Sequence, residues 1–267
     1  MRRSRVGRGV VWFCLLGLVV NMVLLWERQG ASAASETQPQ SVLRVGVTPN
    51  YPPLLFKQQS MLQGLEVDMA RGIGAALGRR IAFVELAWER LIPALKGGQI
   101  DVIMSGMSVT EERQQHVRFT QSYLQVGQVA IVRKEKLLEA GSPSLLYRTR
   151  SRVGFVAGTT GAAFVKARLR QAQHIPLQST DEGIAALRAA EIDVFVHDTP
   201  TAWRVAGDKA NTMLTPTFLP LTEEHLAWAV GKTNDALYQQ LNAVLAGWKR
   251  SGHLQTLFKR WLTVRLH

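Results

Sequence analysis

The sequence has only one cysteine among its 267 residues, which limits the chemistry that the chain can perform. Cys14 lies in an apolar N-terminal stretch, so the rest of the chain has no disulfide, no thiol nucleophile and no thiolate metal site. The six histidines lack close metal-ligand spacing, and there is no Gly-x-Ser-x-Gly turn. Gly72-x-Gly74 does not follow a predicted strand, so it does not indicate a dinucleotide site. We therefore expect no metal and no cofactor.

Long runs of basic residues are also absent, although the formal net charge is +12. The sequence has neither a run of five or six basic residues nor zinc-finger spacing, and these are common signs of nucleic-acid binding. We interpret the positive charge as a basic, solvated surface and expect no nucleic-acid partner. Hydrophobic residues make up 46% of the chain, which is enough for a sizeable core.

The N-terminus has the pattern of an export segment. Arginines at positions 2, 3, 5 and 8 precede 17 uncharged residues at 10–26, and the small residues at 31–33 form a cleavage pattern. Residues 1–33 are thus predicted to be a secretory signal or an uncleaved N-terminal anchor, and residues 34–41 a polar tether. In both cases the body lies in the periplasm or at the outer face of the cytoplasmic membrane.

Strand and helix patterns alternate twice along the rest of the chain. This alternation predicts an α/β protein with largely parallel sheets, arranged as two lobes. The first lobe has strands at 42–47, 81–86 and 101–104 and helices at 65–77 and 88–96; the second has strands at 152–156 and 192–196 and helices at 162–170 and 181–190; a strand at 226–230 and C-terminal helices follow.

The segment 105–113 follows the strand pattern at 101–104. Thr110 is a predicted helix N-cap, which puts Arg113 in the first helical turn, where a cation costs about 0.3–1 kcal/mol against the helix dipole. A bound carboxylate would reverse this cost, because the guanidinium matches it with two parallel hydrogen bonds and the Gly106 and Ser108 backbone amides could add donors. The alternative is a surface arginine paired with a nearby carboxylate, at Glu111, Glu112 or Asp101.

Two further motifs follow strands in the second lobe. The turn at 158–161, which contains Thr159 and Thr160, exposes backbone amides at a helix N-terminus and could bind an anion, or it is a plain capping turn. Asp198 ends a buried strand before Thr199, the predicted N-cap, and Pro200, the predicted first helical residue. Its carboxylate could hold an ammonium group, or it could simply cap the helix. For His197 the alternative to a functional role is a structural one.

Aromatic residues lie beside the predicted strand ends at Tyr51, Phe56 and Trp88. In a cleft between two lobes such rings bury the aliphatic part of a small ligand. Phe56 fits core packing better, whereas Tyr51 and Trp88 are candidates for the wall of a cleft. With Arg113 as an anion clamp and Asp198 as an ammonium acceptor, they describe a site for a zwitterionic α-amino acid.

These stretches, in this order, resemble the amino-acid-binding family of periplasmic solute-binding proteins over roughly residues 43–261. The segments that carry the resemblance are Arg44-Val45-Gly46 with Tyr51-Pro52-Pro53, Gly64-Leu65-Glu66-Val67-Asp68, Leu91-Ile92-Pro93-Ala94-Leu95 with Asp101-Val102-Ile103, residues 106–113, Gly158-Thr159-Thr160, and His197-Asp198-Thr199-Pro200.

The resemblance implies two α/β lobes joined by two crossover strands near 127–131 and 226–230, which close around the ligand. Lobe one would comprise 42–129 together with the return strand and helices of 226–267, and lobe two would comprise 130–225. By the same resemblance Arg113 takes the α-carboxylate with help from Ser108 and the 158–160 loop, Asp198 takes the ammonium group, and Tyr51 and Trp88 form aromatic walls.

The resemblance also implies a function and partners. The protein would be a monomer that captures a free amino acid and delivers it to the membrane permease of an ABC importer. The sequence around Asp198 is most similar to the glutamine-binding branch, but that branch usually has Asp at the position of Thr48 and Lys at the position of Val156. Because both charges are absent here, we expect an uncharged or weakly polar ligand side chain.

Two other functions fit the same scaffold. A cyclohexadienyl or arogenate dehydratase would need a general acid or base in the cleft, for which His197 and Glu85 are the candidates. A ligand-binding sensor would report to a membrane receptor and not to a permease.

Overall fold

The computed structural model describes residues 41–217 and 219–262. The predicted signal or anchor at 1–33, Cys14 and all of the predicted tether except Ser41 lie outside the described residues. Between residues 41 and 262 the described helices include none that is long and apolar enough to cross a membrane.

Two five-stranded sheets organise the described part of the chain. In the first, with strand order β5-β1-β6-β15-β7, β1 runs parallel to β5 and β6, and β15 is antiparallel to β6 and β7. The second has the order β11-β10-β12-β9-β13, with β10 parallel to β11 and β12, and β9 antiparallel to β12 and β13. The strands are β1 (Val42–Val47), β2 (Asn50–Tyr51), β3 (Leu55–Gln58), β4 (Met61–Gln63), β5 (Arg80–Glu85), β6 (Val102–Ile103), β7 (Arg118–Phe119), β8 (Leu124–Val126), β9 (Gln128–Arg133), β10 (Arg152–Val156), β11 (Gln173–Leu177), β12 (Val194–Asp198), β13 (Leu214–Pro216), β14 (Glu224–Leu226) and β15 (Ala229–Val230).

The helices cover the faces of the two sheets. The largest hydrophobic core packs one face of the first sheet against the long helix after β4 and the two C-terminal helices, while separate cores lie in the second sheet. The helices are α1 (Leu65–Leu77), α2 (Leu91–Lys96), α3 (Glu111–Gln114), α4 (Leu137–Ala140), α5 (Pro143–Leu146), α6 (Thr160–Arg168), α7 (Thr180–Arg188), α8 (Thr199–Gly207), α9 (Asp235–Ser251) and α10 (His253–Trp261).

The start of α1 shows how the sequence fixes one element. Gly64 precedes the helix with φ of 126°, and a Cβ atom there would lie 2.3 Å from the carbonyl oxygen of Leu54. Only glycine adopts this backbone region readily and tolerates such a close approach. The apolar side chains of Leu65, Met69 and Ile73 are then fully buried on one face of the helix.

The chain passes between the two sheets twice, at β8 and β14, which pair antiparallel as a two-stranded sheet of their own. The strand predicted at 226–230 is instead two short strands: β14 pairs with β8, and β15 joins the first sheet. The α/β class with sheets linked by two crossing strands is confirmed. The lobe boundaries at 129/130 and 225/226 stay a prediction.

Candidate functional site

A cavity of about 250 Å³ lies between the two sheets. It is lined by residues that directly follow or end strands of both sheets, such as Thr48 after β1, Val156 at the end of β10 and Asp198 at the end of β12. Ligands of open α/β sheets bind outside the carboxyl ends of the strands, so the topology puts a site here. The volume is below the roughly 300–1,000 Å³ of drug-sized pockets and suits a small ligand.

The structure brings the eight residues predicted to bind the ligand to this cavity. Phe56 does not line it; its ring packs edge-on against Trp261, with the centroids 6.2 Å apart. The residues that line the cavity include Tyr51, Trp88, Gly106, Ser108, Arg113, Thr159, Thr160 and Asp198.

Arg113 is held at the cavity by its own helix start. The Thr110 side chain caps α3 by accepting a hydrogen bond from the Arg113 backbone N–H at 3.2 Å. The guanidinium donates from Nη1 to the Ser108 carbonyl oxygen at 2.9 Å and lies 5.3 Å from the centre of the Trp88 ring. Burial lowers the pKa of Arg113, while the carboxylates of Glu224, Asp198 and Glu112 oppose that shift.

The surface ion pair considered for Arg113 does not form. Among the salt bridges of the described residues, none joins Arg113 to Glu111, Glu112 or Asp101, and the Asp101 carboxylate instead binds Arg44 at 2.6 Å. A half-buried guanidinium with carbonyl partners and no contacting carboxylate is a suitable partner for a bound anion.

The turn at 158–161 closes the cavity from the second sheet. The Thr159 hydroxyl accepts from the Ala162 N–H at 3.2 Å and donates to the Val156 carbonyl at 2.7 Å, so it caps α6 as the turn chemistry predicts. The Gly158 carbonyl accepts from Trp88 Nε1 at 2.9 Å. Because Trp88 follows the first sheet, this bond links the two sides of the cavity.

Asp198 is the buried carboxyl group of the site. One carboxylate oxygen accepts from the Tyr51 hydroxyl and the other from the Gln128 side-chain amide. Burial raises the pKa of Asp198 to about 7, and the charge of Glu224 adds to this shift, whereas the Tyr51, Gln128 and Arg113 contacts oppose it. Each carboxylate oxygen has room for a further donor, because a carboxylate offers about four lone-pair positions.

The helix after Asp198 corrects one detail of the sequence analysis. The N-cap is Asp198 and α8 begins at Thr199, so Thr199 is not the cap. The Asp198 side chain makes no capping hydrogen bond, which removes the simple capping role considered for it. Its carboxylate instead accepts hydrogen bonds from Tyr51 and Gln128 and lines the cavity.

The Gly106 amide is a second correction. It was expected to be available to a ligand carboxylate, but it donates to the buried Glu66 carboxylate at 2.5 Å. Gly106 has φ of 65°, and a Cβ atom there would lie 2.6 Å from the Tyr51 ring. Glycine is therefore needed for the close approach of Tyr51, and not as a donor to the ligand.

Three polar residues next to the site were missed by the sequence analysis. Glu66 on α1 accepts from Gly106 and from the Tyr123 hydroxyl, and burial raises its pKa to about 7. Gln128 opens β9 and is almost fully buried, and Glu224 opens β14. Gln128 could have been found from the sequence, because it is a polar residue at the start of an otherwise apolar strand.

The two candidates for a general acid or base do not present a free group to the cavity. His197 Nδ1 accepts from the Asp198 backbone N–H at 2.8 Å, so Nε2 carries the proton and donates to Thr180 at 2.9 Å. Burial lowers its pKa to about 3. Glu85 pairs with Lys57 at 2.6 Å, and its side chain is 42% exposed.

Residues 41–217 and 219–262 hold no cluster of three or more His, Cys, Asp or Glu side chains that could bind a metal ion. The charged groups that line the cavity are suited to hydrogen bonding: the cation is Arg113, and the carboxyl groups are those of Asp198 and the exposed Glu89. Arg113 lies on α3, which follows β6 of the first sheet, and Asp198 ends β12 of the second sheet, so a ligand with both a carboxylate and an ammonium group could bridge them.

Residues 43–264 match the family described as bacterial extracellular solute-binding proteins, family 3, and the chain belongs to that family. The family places its solute-binding function outside the cytoplasm. This agrees with the fold, since two α/β sheets with a cavity at their strand ends are what such a protein needs.

Three similar proteins illustrate the family. The ABC transporter glutamine-binding protein GlnH of Bacillus subtilis is 28% identical, over 75% of this chain and 73% of its own. The histidine-binding periplasmic protein of Escherichia coli K12 is 32% identical, over 68% of this chain and 69% of its own. The solved structure of an ancestral arginine-binding protein bound to arginine is 28% identical, with a TM-score of 0.78, and the match covers 84% of this chain and 99% of that one.

Proposed function

We propose that this protein captures a free L-amino acid outside the cytoplasm and delivers it to the membrane permease of an ABC importer. The observation that carries the proposal is the pair of opposite charges, Arg113 and Asp198, on two sides of one small cavity. The glutamine-, histidine- and arginine-binding relatives support the same ligand class, and the glutamine-binding relative, which is named as an ABC transporter protein, supports the transporter partner.

In the proposed complex the ligand carboxylate takes the Arg113 guanidinium and the ammonium group takes Asp198. The Trp88 ring and the Thr159–Thr160 turn enclose the ligand from opposite sides, as their shared contact through Gly158 allows. Bonds between the two sides would form or strengthen on binding, which shifts the protein toward the closed arrangement. The two parts that move on closure would be the predicted lobes. Lobe one comprises 42–129 with 226–267, and lobe two comprises 130–225.

For the ligand side chain we propose an uncharged or weakly polar group. Thr48 and Val156 line the cavity without a formal charge, and Gln178 and Leu177 extend the wall in the same way. Glu89 is the additional carboxylate on the lining, and it is exposed. Since histidine- and arginine-binding relatives exist, Glu89 is the group that would favour a cationic ligand instead.

A thermal-shift screen of the purified protein against the twenty amino acids tests both levels of the proposal. A ligand at 100 times its Kd stabilises the folded state by about 2.7 kcal/mol, which is easily measured. We expect a shift with glutamine or another uncharged amino acid, lost in Arg113→Ala and kept in Glu89→Gln.

The other outcomes are equally informative. A shift confined to arginine, lysine or histidine that Glu89→Gln abolishes would refute the side-chain assignment but keep the amino-acid site. No shift with any amino acid would contradict the proposed function, and turnover of prephenate or arogenate would then be the assay for the dehydratase alternative. Loss of signalling and not of uptake on gene deletion would favour the sensor alternative.

A further inference from the structure

Glu224 lies behind the cavity on β14, one of the two strands that cross between the sheets. Its Oε2 accepts from the Ser108 hydroxyl at 2.7 Å, and its Oε1 accepts from Gln128 Nε2 at 3.1 Å. Oε1 also accepts from the Thr222 hydroxyl at 2.9 Å. The Glu224 carboxylate thus contacts both sides of the cavity: Ser108, which follows β6 of the first sheet, and Gln128, which opens β9 of the second.

The link continues from Gln128 to Asp198. Gln128 and Asp198 are register partners in the antiparallel pair β9–β12, and Gln128 Nε2 donates to Asp198 as well as to Glu224. A single amide nitrogen therefore separates two carboxylates in a buried setting. A second negative charge this close disfavours the ionised form of Asp198, because the buried Asp198 carboxyl is shielded from water.

We infer that Glu224 is a positioning residue that governs when Asp198 carries the negative charge needed to hold a ligand ammonium group. The role toward a ligand rests on the proposed function, whereas the effect of Glu224 on Asp198 can be measured without a ligand. Glu224 does not line the cavity, so it acts through Gln128 and Ser108. An arriving ammonium group supplies the positive charge that favours the ionised form of Asp198.

Ser108 gains a defined role from the same contact. A hydroxyl has one proton to donate, and Ser108 gives it to Glu224. Its oxygen is then left as an acceptor, which suits an ammonium N–H better than a carboxylate. This contact concerns the Ser108 hydroxyl and not the Ser108 backbone amide, which the sequence analysis offered as a donor to the ligand carboxylate.

Several other charged or titratable groups also act on Asp198. Tyr51 donates to it, Arg113 provides a nearby positive charge, and the buried Tyr123 interacts with it at longer range. His197, on the same strand, stays neutral because burial lowers its pKa. Among these groups, Glu224 is the one whose negative charge raises the pKa of Asp198.

The test compares Glu224→Gln with Glu223→Gln. Glu224→Gln keeps the shape of the side chain and one carbonyl acceptor while it removes the negative charge. Glu223, the neighbour on the same strand segment, has a side chain 71% exposed and bonds to Gln125 at 2.9 Å, so its variant is a matched control. Asp198→Asn identifies the Asp198 signal in the carboxyl ¹³C spectrum of the empty protein.

In the empty protein we expect the Asp198 titration midpoint to lie near pH 7 and to fall by about one pH unit or more in Glu224→Gln, with no change in Glu223→Gln. An unchanged midpoint in Glu224→Gln would overturn the inference. This measurement uses no ligand, so it stands even if the proposed function fails.

A second measurement follows binding of L-glutamine and L-arginine by calorimetry at pH 6 and pH 8. Whichever of the two amino acids binds the parent protein should bind about tenfold more weakly at pH 6 than at pH 8, because at pH 6 a proton must leave Asp198 before the ammonium group can bind. Glu224→Gln should reduce that ratio to about threefold or less, while a merely structural Glu224 would weaken binding equally at both pH values. If neither probe binds, the calorimetry is repeated with the amino acid found in the thermal-shift screen, and the carboxyl titration decides the role of Glu224 without any ligand.

Discussion

Asp198→Asn should weaken ligand binding and at the same time stabilise the empty protein. The pKa of Asp198 is about 7 in the folded protein against a reference value of 3.8. The folded state therefore keeps a proton on this carboxyl between about pH 4 and pH 7 that the unfolded chain has released. Stability falls as the pH rises through this window, and above it the full cost of ionising a buried Asp198 is present.

The magnitude follows from these values. The pKa of Asp198 differs by roughly three units between the folded and the unfolded protein. At about 1.36 kcal/mol per unit, the ionised Asp198 lowers the free energy of unfolding by about 4 kcal/mol above pH 7. Asparagine cannot keep both the Tyr51 and the Gln128 contacts in their present form, and each lost hydrogen bond costs about 1 kcal/mol. We therefore expect the empty variant to be more stable by roughly 1–3 kcal/mol at pH 8, with a smaller or no gain at pH 5.

Binding should change in the opposite direction. The lost charge-assisted bond to the ligand ammonium is worth roughly 1.5–3 kcal/mol, or about 10- to 150-fold in Kd. Denaturant unfolding of the empty protein at pH 5 and pH 8 and calorimetric titration with the ligand measure the two effects. An Asp198→Asn variant with undiminished affinity, or one that is less stable at pH 8, would refute the reasoning.

Further predictions concern single residues. Arg113→Lys keeps the charge but loses the planar fork, so affinity should fall about tenfold or more in calorimetry without loss of the fold. Burial lowers the pKa of His197 to about 3, so this residue makes the free energy of unfolding rise with pH from about 3 to 6.5. In denaturant unfolding, the free energy of unfolding of His197→Gln, relative to that of the parent, should therefore be higher at pH 4 than at pH 7. Gly64→Ala places a Cβ atom 2.3 Å from the Leu54 carbonyl oxygen at φ of 126° and should cost about 2 kcal/mol or more in the same assay; a smaller loss would show that the turn relaxes.

The sequence predicted the fold class and the cavity residues because their signals are local. Arg113 and Asp198 each follow a buried strand, and the carboxyl ends of strands in open α/β sheets meet at the ligand site. Thr110 and Thr159 cap their helices as the turn chemistry requires. Several element ends shifted by one or two residues, and the helix predicted at 88–96 begins three residues later, at Leu91, because a 3₁₀ turn occupies Trp88–Arg90.

The partners of those residues could not be predicted from local patterns. Gln128 reaches Asp198 across 70 positions of sequence because β9 pairs with β12, and Glu224 reaches Ser108 across 116 because β14 crosses back between the sheets. Glu66 engages the Gly106 amide from a helix 40 residues earlier. Such contacts depend on strand register and on the packing of distant elements, which one sequence does not specify.

The central claim is that one ligand bridges Arg113 and Asp198 through its carboxylate and its ammonium group. The most direct test is calorimetric titration of the protein with the amino acid found by the screen, its N-acetyl derivative and its carboxamide. The account predicts that each capped compound binds at least about 100-fold more weakly than the free amino acid, since each leaves one buried charge without its partner. Equal binding of the N-acetyl or the carboxamide compound would contradict it.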